Sequence, residues 1–148
     1  TGQRTVHETT LPSFTAQILH PNGTRSITGE LARPNLSVDS LEHVRTDRIG
    51  ELFVRATFRS KGVSATRAAA AADGWTNDRM DYFRANGSTV ISWRVTWENT
   101  HERAEFVEAY DSVYQYERVN LFRSVSCDVP GRYLAISKKT VTVVQCSS

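Results

Sequence analysis

The dipeptide Asn86-Gly87 limits the folds open to this chain, because it joins two strand-like runs in RMDYFRANGSTVISWRVTW, residues 79–97. An Asn-Gly pair strongly favours a two-residue type I′ turn, in which both central residues need a positive φ. We therefore predict a β-hairpin whose register is set by this turn. The cross-strand pairs in that register are Tyr82 with Ile91, Met80 with Trp93 and Asp78 with Val95.

The two-residue period of these strands assigns their side chains to two faces of a sheet. On the inner face we expect a core formed by Ile91, Trp93, Val95 and Trp97. On the outer, solvent-exposed face we expect Arg79, Asp81, Phe83, Ser92, Arg94 and Thr96. Cross-strand ion pairs are common on exposed sheet faces, so the charged residues are interpreted as a structural ladder. An anion-binding patch that includes Arg79 and Arg94 is the alternative.

Three segments have the periodicity of helices. The first is expected to begin at Asp47, and its apolar stripe consists of Ile49, Leu52, Phe53 and Ala56. Charged residues occupy its opposite face, at Arg48, Glu51 and Arg55. An amphipathic pattern of this kind predicts a helix that lies on the core with the apolar stripe inward.

The other two helices have recognisable ends. Ser64 is placed to cap a helix through the alanines of residues 68–72, and Gly74 is expected to end it as the C′ residue. Asn99 and Glu102 form a capping-box-like start for the third helix. Its apolar stripe consists of Phe106, Val107, Tyr110, Val113 and Tyr114.

The remaining segments complete an α+β fold. Residues 13–21 alternate as a short strand, and residues 24–40 are interpreted as a surface loop. A second hairpin is expected to turn at Lys138-Lys139, pairing Ile136 with Val141 and Leu134 with Val143. Hairpins separated by helices predict an antiparallel sheet packed on one face by about three helices. Residues 1–12 are expected to form an extended lead-in, and residues 13–148 a single domain.

The charge pattern argues against a nucleic-acid-binding surface. The formal net charge is only +2, and the arginines are scattered among acidic residues. Phosphate binding needs a clustered basic surface, so no nucleic-acid partner is expected. No apolar run approaches the roughly 20 residues of a membrane helix, and we expect no membrane span.

Three N-x-Ser/Thr sequons and two cysteines favour an exported protein. The sequons begin at Asn22, Asn35 and Asn86 and are candidates for N-glycosylation in loops. Cys127 and Cys146 either form a disulfide or remain two buried thiols. If they pair, the short loop that they close contributes roughly 3 kcal/mol in the chain-entropy model. The combination predicts an extracellular or cell-surface location.

No cluster of residues in the sequence predicts catalysis. The four histidines lack metal-ligand spacing, and neither CxxC nor HExxH occurs. We therefore expect neither a metal nor a cofactor. Trp93 and Trp97 share the predicted core face, so only Trp75 is expected to be exposed enough to stack on a sugar.

Two longer motifs, GWTNDRMDYF and VISWRVTWENTHERAEFVEAY, fit the pattern of a family, roughly G-W-G-x-D-R, W-R-x-x-W-D and A-x-E-F. The matching residues are Gly74, Trp75, Asp78, Arg79, Trp93, Arg94, Trp97, Glu105 and Phe106. PSFTAQILHP (residues 12–21) and RIGELFVRATF (residues 48–58) extend the match. The chain thus resembles the C-terminal domain of uncharacterised exported or surface proteins of prokaryotes, notably archaea. Thr76 departs from this pattern in place of a glycine, and Ala16 in place of an acidic residue.

In many members of that family the domain follows another that resembles HExxH zinc metallopeptidases. These residues lack that element, so the resemblance implies a surface-associated domain without the metal centre. We expect a non-catalytic domain for recognition or assembly, with a protein partner, self-association or a glycan as its ligand. The candidate binding residues are Trp75, Asp78, Arg79 and Arg94. The alternatives are a C-terminal fragment of a secreted zinc-metallopeptidase-like protein and a carbohydrate-binding module that uses Trp75.

Overall fold

The computed structural model describes residues 30–36, 38, 40–120 and 127–147, which contain six strands and three helices. The strands are β1 (Glu42–Asp47), β2 (Trp75–Ala85), β3 (Ser88–Trp97), β4 (Glu117–Arg118), β5 (Gly131–Ser137) and β6 (Thr140–Ser147). The helices are α1 (Glu51–Ser60), α2 (Ala65–Ala72) and α3 (Thr100–Val113). The predicted lead-in of residues 1–12, the strand of residues 13–21 and the sequon at Asn22 lie outside the described residues.

All six strands form one sheet in the order β1-β2-β3-β6-β5-β4. The predicted α+β class is therefore confirmed. The prediction of a wholly antiparallel sheet is wrong at one edge, where β4 pairs with β5 in parallel. Parallel neighbours cannot be joined by a tight turn, and β4 and β5 are twelve residues apart along the chain.

Both predicted hairpins are confirmed together with their registers. The pairs across the first are Tyr82 with Ile91, Met80 with Trp93 and Asp78 with Val95. The pairs across the second are Ile136 with Val141 and Leu134 with Val143. Asn86 and Gly87 have φ angles of 46° and 81°, as a type I′ turn requires. Since β3 also pairs with β6, the two hairpins together form the middle of the sheet.

Residues 42–50 differ from the prediction. β1 is an edge strand that pairs with β2 and has a bulge between His43 and Arg45. Its sequence, EHVRTD, is too polar to be recognised as a strand, so its pairing with β2 must select this conformation. The helix expected to begin at Asp47 begins at Glu51 instead, because Gly50 has φ 87° and ψ 167° and lies outside the helical region.

The predicted starts of α2 and α3 and the predicted end of α2 are confirmed, whereas α3 ends at Val113, before the expected end near residues 115–118. The Ser64 hydroxyl accepts a hydrogen bond from the Arg67 N–H at 3.3 Å, and the Asn99 side chain accepts one from the Glu102 N–H at 2.9 Å. Gly74 follows α2 with φ 75°, in the left-handed region expected for a C′ residue.

The three helices pack on the inner face of the sheet and form the larger apolar core. The largest side chains fully buried there include Trp75, Trp97 and Phe106. On α1, Val54 and Phe58 are buried, whereas Leu52 and Phe53 are 42% and 49% exposed, so the predicted stripe is wrong. α2 buries only alanines, which lets α1 approach it closely, and this packing selects the face that α1 turns inward.

The outer face of the sheet was expected to be exposed, and the structure contradicts this. Asp81, Phe83 and Ser92 are all buried there. A second apolar cluster on this face consists of Phe83, Ala85, Val90, Val144 and Cys146, packed against Leu36, Val38 and Leu41. The chain before β1 therefore covers this part of the outer face. The sequence of the hairpin alone does not indicate that a distant segment packs on it.

Cys127 and Cys146 form a disulfide, which decides between the two alternatives left open by the sequence. Cys146 lies on β6 within the second apolar cluster, and Cys127 packs against that cluster from the loop before β5. The disulfide thus ties this loop to the outer face of the sheet.

Candidate functional site

Trp75 and Asp78 form a buried corner at the start of β2. A bulge between Trp75 and Asn77 places Trp75 opposite Trp97 and Asp78 opposite Val95. Because Val95 and Trp97 are two residues apart on β3, Trp75 and Asp78 lie on the same face of the sheet. The Trp75 indole N–H can therefore donate to Asp78 Oδ2, at 2.8 Å.

The Asp78 carboxylate also holds the chain that leads into α1. Its Oδ1 accepts from the Ile49 N–H and its Oδ2 from the Gly50 N–H, each at 2.7 Å. Burial raises the pKa of Asp78, while the bonds from Ile49, Gly50 and Trp75 oppose that rise.

Trp75 is 0% exposed, so its predicted exposure is wrong, and its ring offers no face on which a sugar could stack.

Arg79 and Arg94 lie on the other side of the sheet, around the buried carboxylate of Asp81. Arg79 donates to Asp81 from Nε at 2.9 Å and from Nη2 at 3.2 Å. On Asp81 Oδ1, the Thr46 hydroxyl lies at 2.5 Å and His43 Nε2 at 3.0 Å. The candidate residues chosen from the sequence therefore divide between two places, and Arg79 pairs with Asp81 and not with Asp78.

Both arginines also bind the segment that covers the outer face. Arg79 Nη1 donates to the Leu31 carbonyl at 3.0 Å, and Arg94 Nη1 donates to the Ala32 carbonyl at 2.7 Å. Arg94 Nε donates to the Thr142 hydroxyl at 3.3 Å. Burial, followed by the charge of Arg79, lowers the pKa of Arg94. Since these donors already have acceptors in the protein, the cluster works as a clamp on residues 31–32.

We expect acid to destabilise the protein through Asp81. Burial alone would raise its pKa, but hydrogen bonds from Arg79, Thr46 and His43 hold the pKa below the ordinary value of 3.8. A carboxyl group with a lowered folded-state pKa adds stability above its unfolded pKa, and this stability is lost as the pH falls through the folded pKa. Between about pH 5 and pH 2, Asp81→Asn should therefore lose less unfolding free energy than the wild type in denaturant titrations.

Asp47→Asn is the matched control for this experiment, because the Asp47 side chain is 41% exposed and pairs with the exposed Arg45. The free energy of unfolding of Asp47→Asn should decrease with falling pH as much as that of the wild type does. If Asp81→Asn also follows the wild type, the clamp does not contribute to the acid sensitivity.

A partly open cavity of about 190 Å³ lies on the inner face, where α1 and α3 leave the sheet uncovered. We call it the aromatic groove and define it by Phe53, Met80, Ile91, Trp93, Tyr110, Tyr114, Arg132 and Gln145. Met80, Ile91 and Trp93 form its floor and are half-buried, which corrects the prediction that Ile91 and Trp93 are fully core residues. Its walls are formed by Phe53 on α1, by Tyr110 on α3 and by Tyr114, which directly follows α3.

Polar groups lie at one end of the aromatic groove. The guanidinium of Arg132 stacks over the Tyr114 ring, 4.4 Å from its centroid, and donates to Gln145 Oε1 at 3.2 Å. Lys61 Nζ lies 5.7 Å from the same ring centroid. In the floor, the Trp93 indole N–H is buried and has no hydrogen-bond acceptor among the described residues.

Sequence reasoning missed the aromatic groove as a site. Its floor and wall residues carry the normal signals of core positions, an apolar period of two on the strands and a helical stripe on α3.

The described residues contain no group of three or more His, Cys, Asp or Glu side chains placed to hold a metal ion. Within the same residues, none of the helices combines the length and apolarity needed to cross a membrane.

Comparison with known proteins identifies one family. A family model described as a domain of unknown function (DUF8575) matches residues 38–148, which include every strand and helix of the structure. Neither the curated proteins nor the solved structures contain a match.

Proposed function

The chain belongs to the DUF8575 family of domains, and we propose that it is an exported, non-catalytic recognition domain that binds a partner protein at the cell surface. The aromatic groove is the observation that carries this proposal. The resemblance of GWTNDRMDYF and VISWRVTWENTHERAEFVEAY to surface proteins supports the same class of function.

The size of the aromatic groove suits one anchoring side chain. A cavity of about 150 Å³ with apolar walls can hold a benzene-sized ligand, and the aromatic groove measures about 190 Å³. Interfaces gain most of their affinity from a few large side chains that fill such pockets. A single aromatic or branched aliphatic side chain of a partner would therefore fill the groove.

The surroundings of the aromatic groove favour a partner that extends beyond it. Phe53 is 49% exposed at its wall, and the neighbouring Leu52 is 42% exposed on the same helix. Adjacent exposed apolar side chains mark interaction surfaces more often than isolated ones do. A partner segment that inserts one side chain and covers this part of α1 would remove both from water.

The disulfide and the sequons support an extracellular location. A disulfide between Cys127 and Cys146 persists in an oxidising compartment. Asn35 and Asn86 are both exposed, and Asn86 lies in the tight turn between β2 and β3, where an attached glycan would point into solvent. Intact mass spectrometry of natively produced protein tests this assignment, and a mass with free thiols and no glycan would contradict it.

Recognition through the aromatic groove can be tested with N-acetyltryptophan amide, a neutral analogue of one aromatic side chain. In NMR titrations of the full chain, we expect saturable shifts at the amides of groove residues. Phe53→Ser should weaken binding about fivefold, because the ligand would lose its apolar contact with the Phe53 wall of the cavity. Val44→Ser removes an equally exposed apolar side chain from β1 and should leave the affinity unchanged. Shifts scattered over the surface, or equal effects of both variants, would contradict the proposal.

A further inference from the structure

We propose that the aromatic groove selects a partner segment in which the anchoring apolar side chain is flanked by carboxylates, and that Arg132 recognises this negative charge. The inference rests on the proposed function and adds the chemistry of the partner.

Arg132 is held in a fixed position at the groove. Its guanidinium stacks on Tyr114 at 4.4 Å, and Nη2 donates to Gln145 Oε1 at 3.2 Å. Stacking on an aromatic ring and a single hydrogen bond orient a guanidinium and leave its other N–H groups available. An arginine prepared in this way loses less conformational entropy when it binds a carboxylate.

Arg132 has no ion-pair partner among the described residues. Its hydrogen-bond partner Gln145 is neutral. Lys61 adds a second cation beside the same tyrosine ring. Opposite charges across an interface favour correct partners and accelerate their association, so this end of the groove suits an acidic segment.

The groove combines apolar and aromatic walls with the guanidinium of Arg132 at one end. This combination matches an apolar side chain that lies next to carboxylate oxygens.

A protein segment fits these features better than a small aromatic acid does. The cavity of about 190 Å³ holds one ring, but the exposed Leu52 and Phe53 continue the apolar surface along α1. Only an occupant longer than one ring can fill the cavity and also cover the exposed side chains of α1.

The test uses two peptides that differ only in charge, acetyl-GEFEG-amide and acetyl-GQFQG-amide, titrated into the full chain. We expect the acidic peptide to bind about fivefold to tenfold more tightly at low salt. The difference should shrink as salt is added, because partly exposed ion pairs are screened. Arg132→Gln should remove most of this preference, so that the two peptides bind the variant with similar affinity.

Arg67→Gln is the matched control, because it removes the same charge from an exposed position on α2, away from the groove. It should keep the full preference for the acidic peptide. Equal binding of both peptides to the wild type would overturn the inference about charge while leaving groove recognition in place. If Arg132→Gln weakens both peptides equally, Arg132 only supports Tyr114, and the inference is also wrong. Failure of both peptides and of N-acetyltryptophan amide would contradict the proposed function itself.

Discussion

Gly74→Ala is expected to lower the free energy of unfolding by about 2 to 5 kcal/mol. Gly74 has φ 75°, a conformation that costs an alanine roughly 1 to 2 kcal/mol. A Cβ at this position would also lie 2.4 Å from Glu102 Cγ and 2.5 Å from Glu102 Cβ. Because the contact involves the stem of the Glu102 side chain, the first turn of α3 would have to move, which costs about 1 to 3 kcal/mol.

Gly62→Ala separates the two contributions to this loss. Gly62 has φ 87°, but a Cβ there would meet no atom within 4 Å. Its substitution should therefore cost only the conformational part, roughly 1 to 2 kcal/mol. Denaturant titrations of both variants measure the difference, and equal losses would show that α3 yields to the new Cβ without cost.

Asp78→Asn is expected to lower the free energy of unfolding by about 2 to 4 kcal/mol. The carboxylate accepts three hydrogen bonds, from Trp75, Ile49 and Gly50, and uses both of its oxygens. An amide of the same shape has only one oxygen, so its NH2 group must face at least one donor. A buried donor left without an acceptor costs about 1 to 3 kcal/mol, and the bonds to a charged acceptor are stronger than neutral ones.

Asp47→Asn is the corresponding control at the end of β1. The Asp47 side chain is 41% exposed and pairs with the exposed Arg45, so its loss should cost less than about 1 kcal/mol. Denaturant titrations at neutral pH compare the two variants. If Asp78→Asn costs no more than Asp47→Asn, the carboxylate does not hold the start of α1.

These two expectations explain why Gly, Trp and Asp lie so close together after the alanines of α2. Gly74 turns the chain at the end of α2, and its carbonyl accepts from the Glu98 N–H at 2.7 Å. Trp75 fills the core, and its indole N–H is satisfied by Asp78. The stretch thus connects α1, α2 and the first hairpin, and its role is structural.

Features that depend on neighbouring residues could be predicted from the sequence. The register of both hairpins follows from turn chemistry, because a two-residue turn leaves only one way to align the strands. The starts of α2 and α3 follow from Ser64 and Asn99, whose side chains bond N–H groups three residues later. In each case the interacting groups are close in sequence, so the residues themselves contain the information.

Features that depend on distant residues could not be predicted in this way. The helical periodicity predicts Phe53 in the core, but α2 and Asp78 set the position of α1. Asp78 does so by accepting a hydrogen bond from the N–H of Gly50, which lies 28 residues earlier in the chain. Asp81 was assigned to solvent, but His43, Thr46 and the segment of residues 31–32 cover it. The polarity of a residue does not indicate which distant segment will pack on it.

Local hydrogen bonding and backbone conformation decide the α+β class, the two central hairpins, the starts of α2 and α3 and the end of α2, so these features can be derived from the residues alone. Long-range packing, by contrast, buries Trp75, places Arg79 and Arg94 on a covering segment, and leaves Phe53 and Arg132 at the border of an open groove. These features depend on distant segments, because burial is a property of the whole packed chain. A side chain is buried or exposed according to which remote elements reach it.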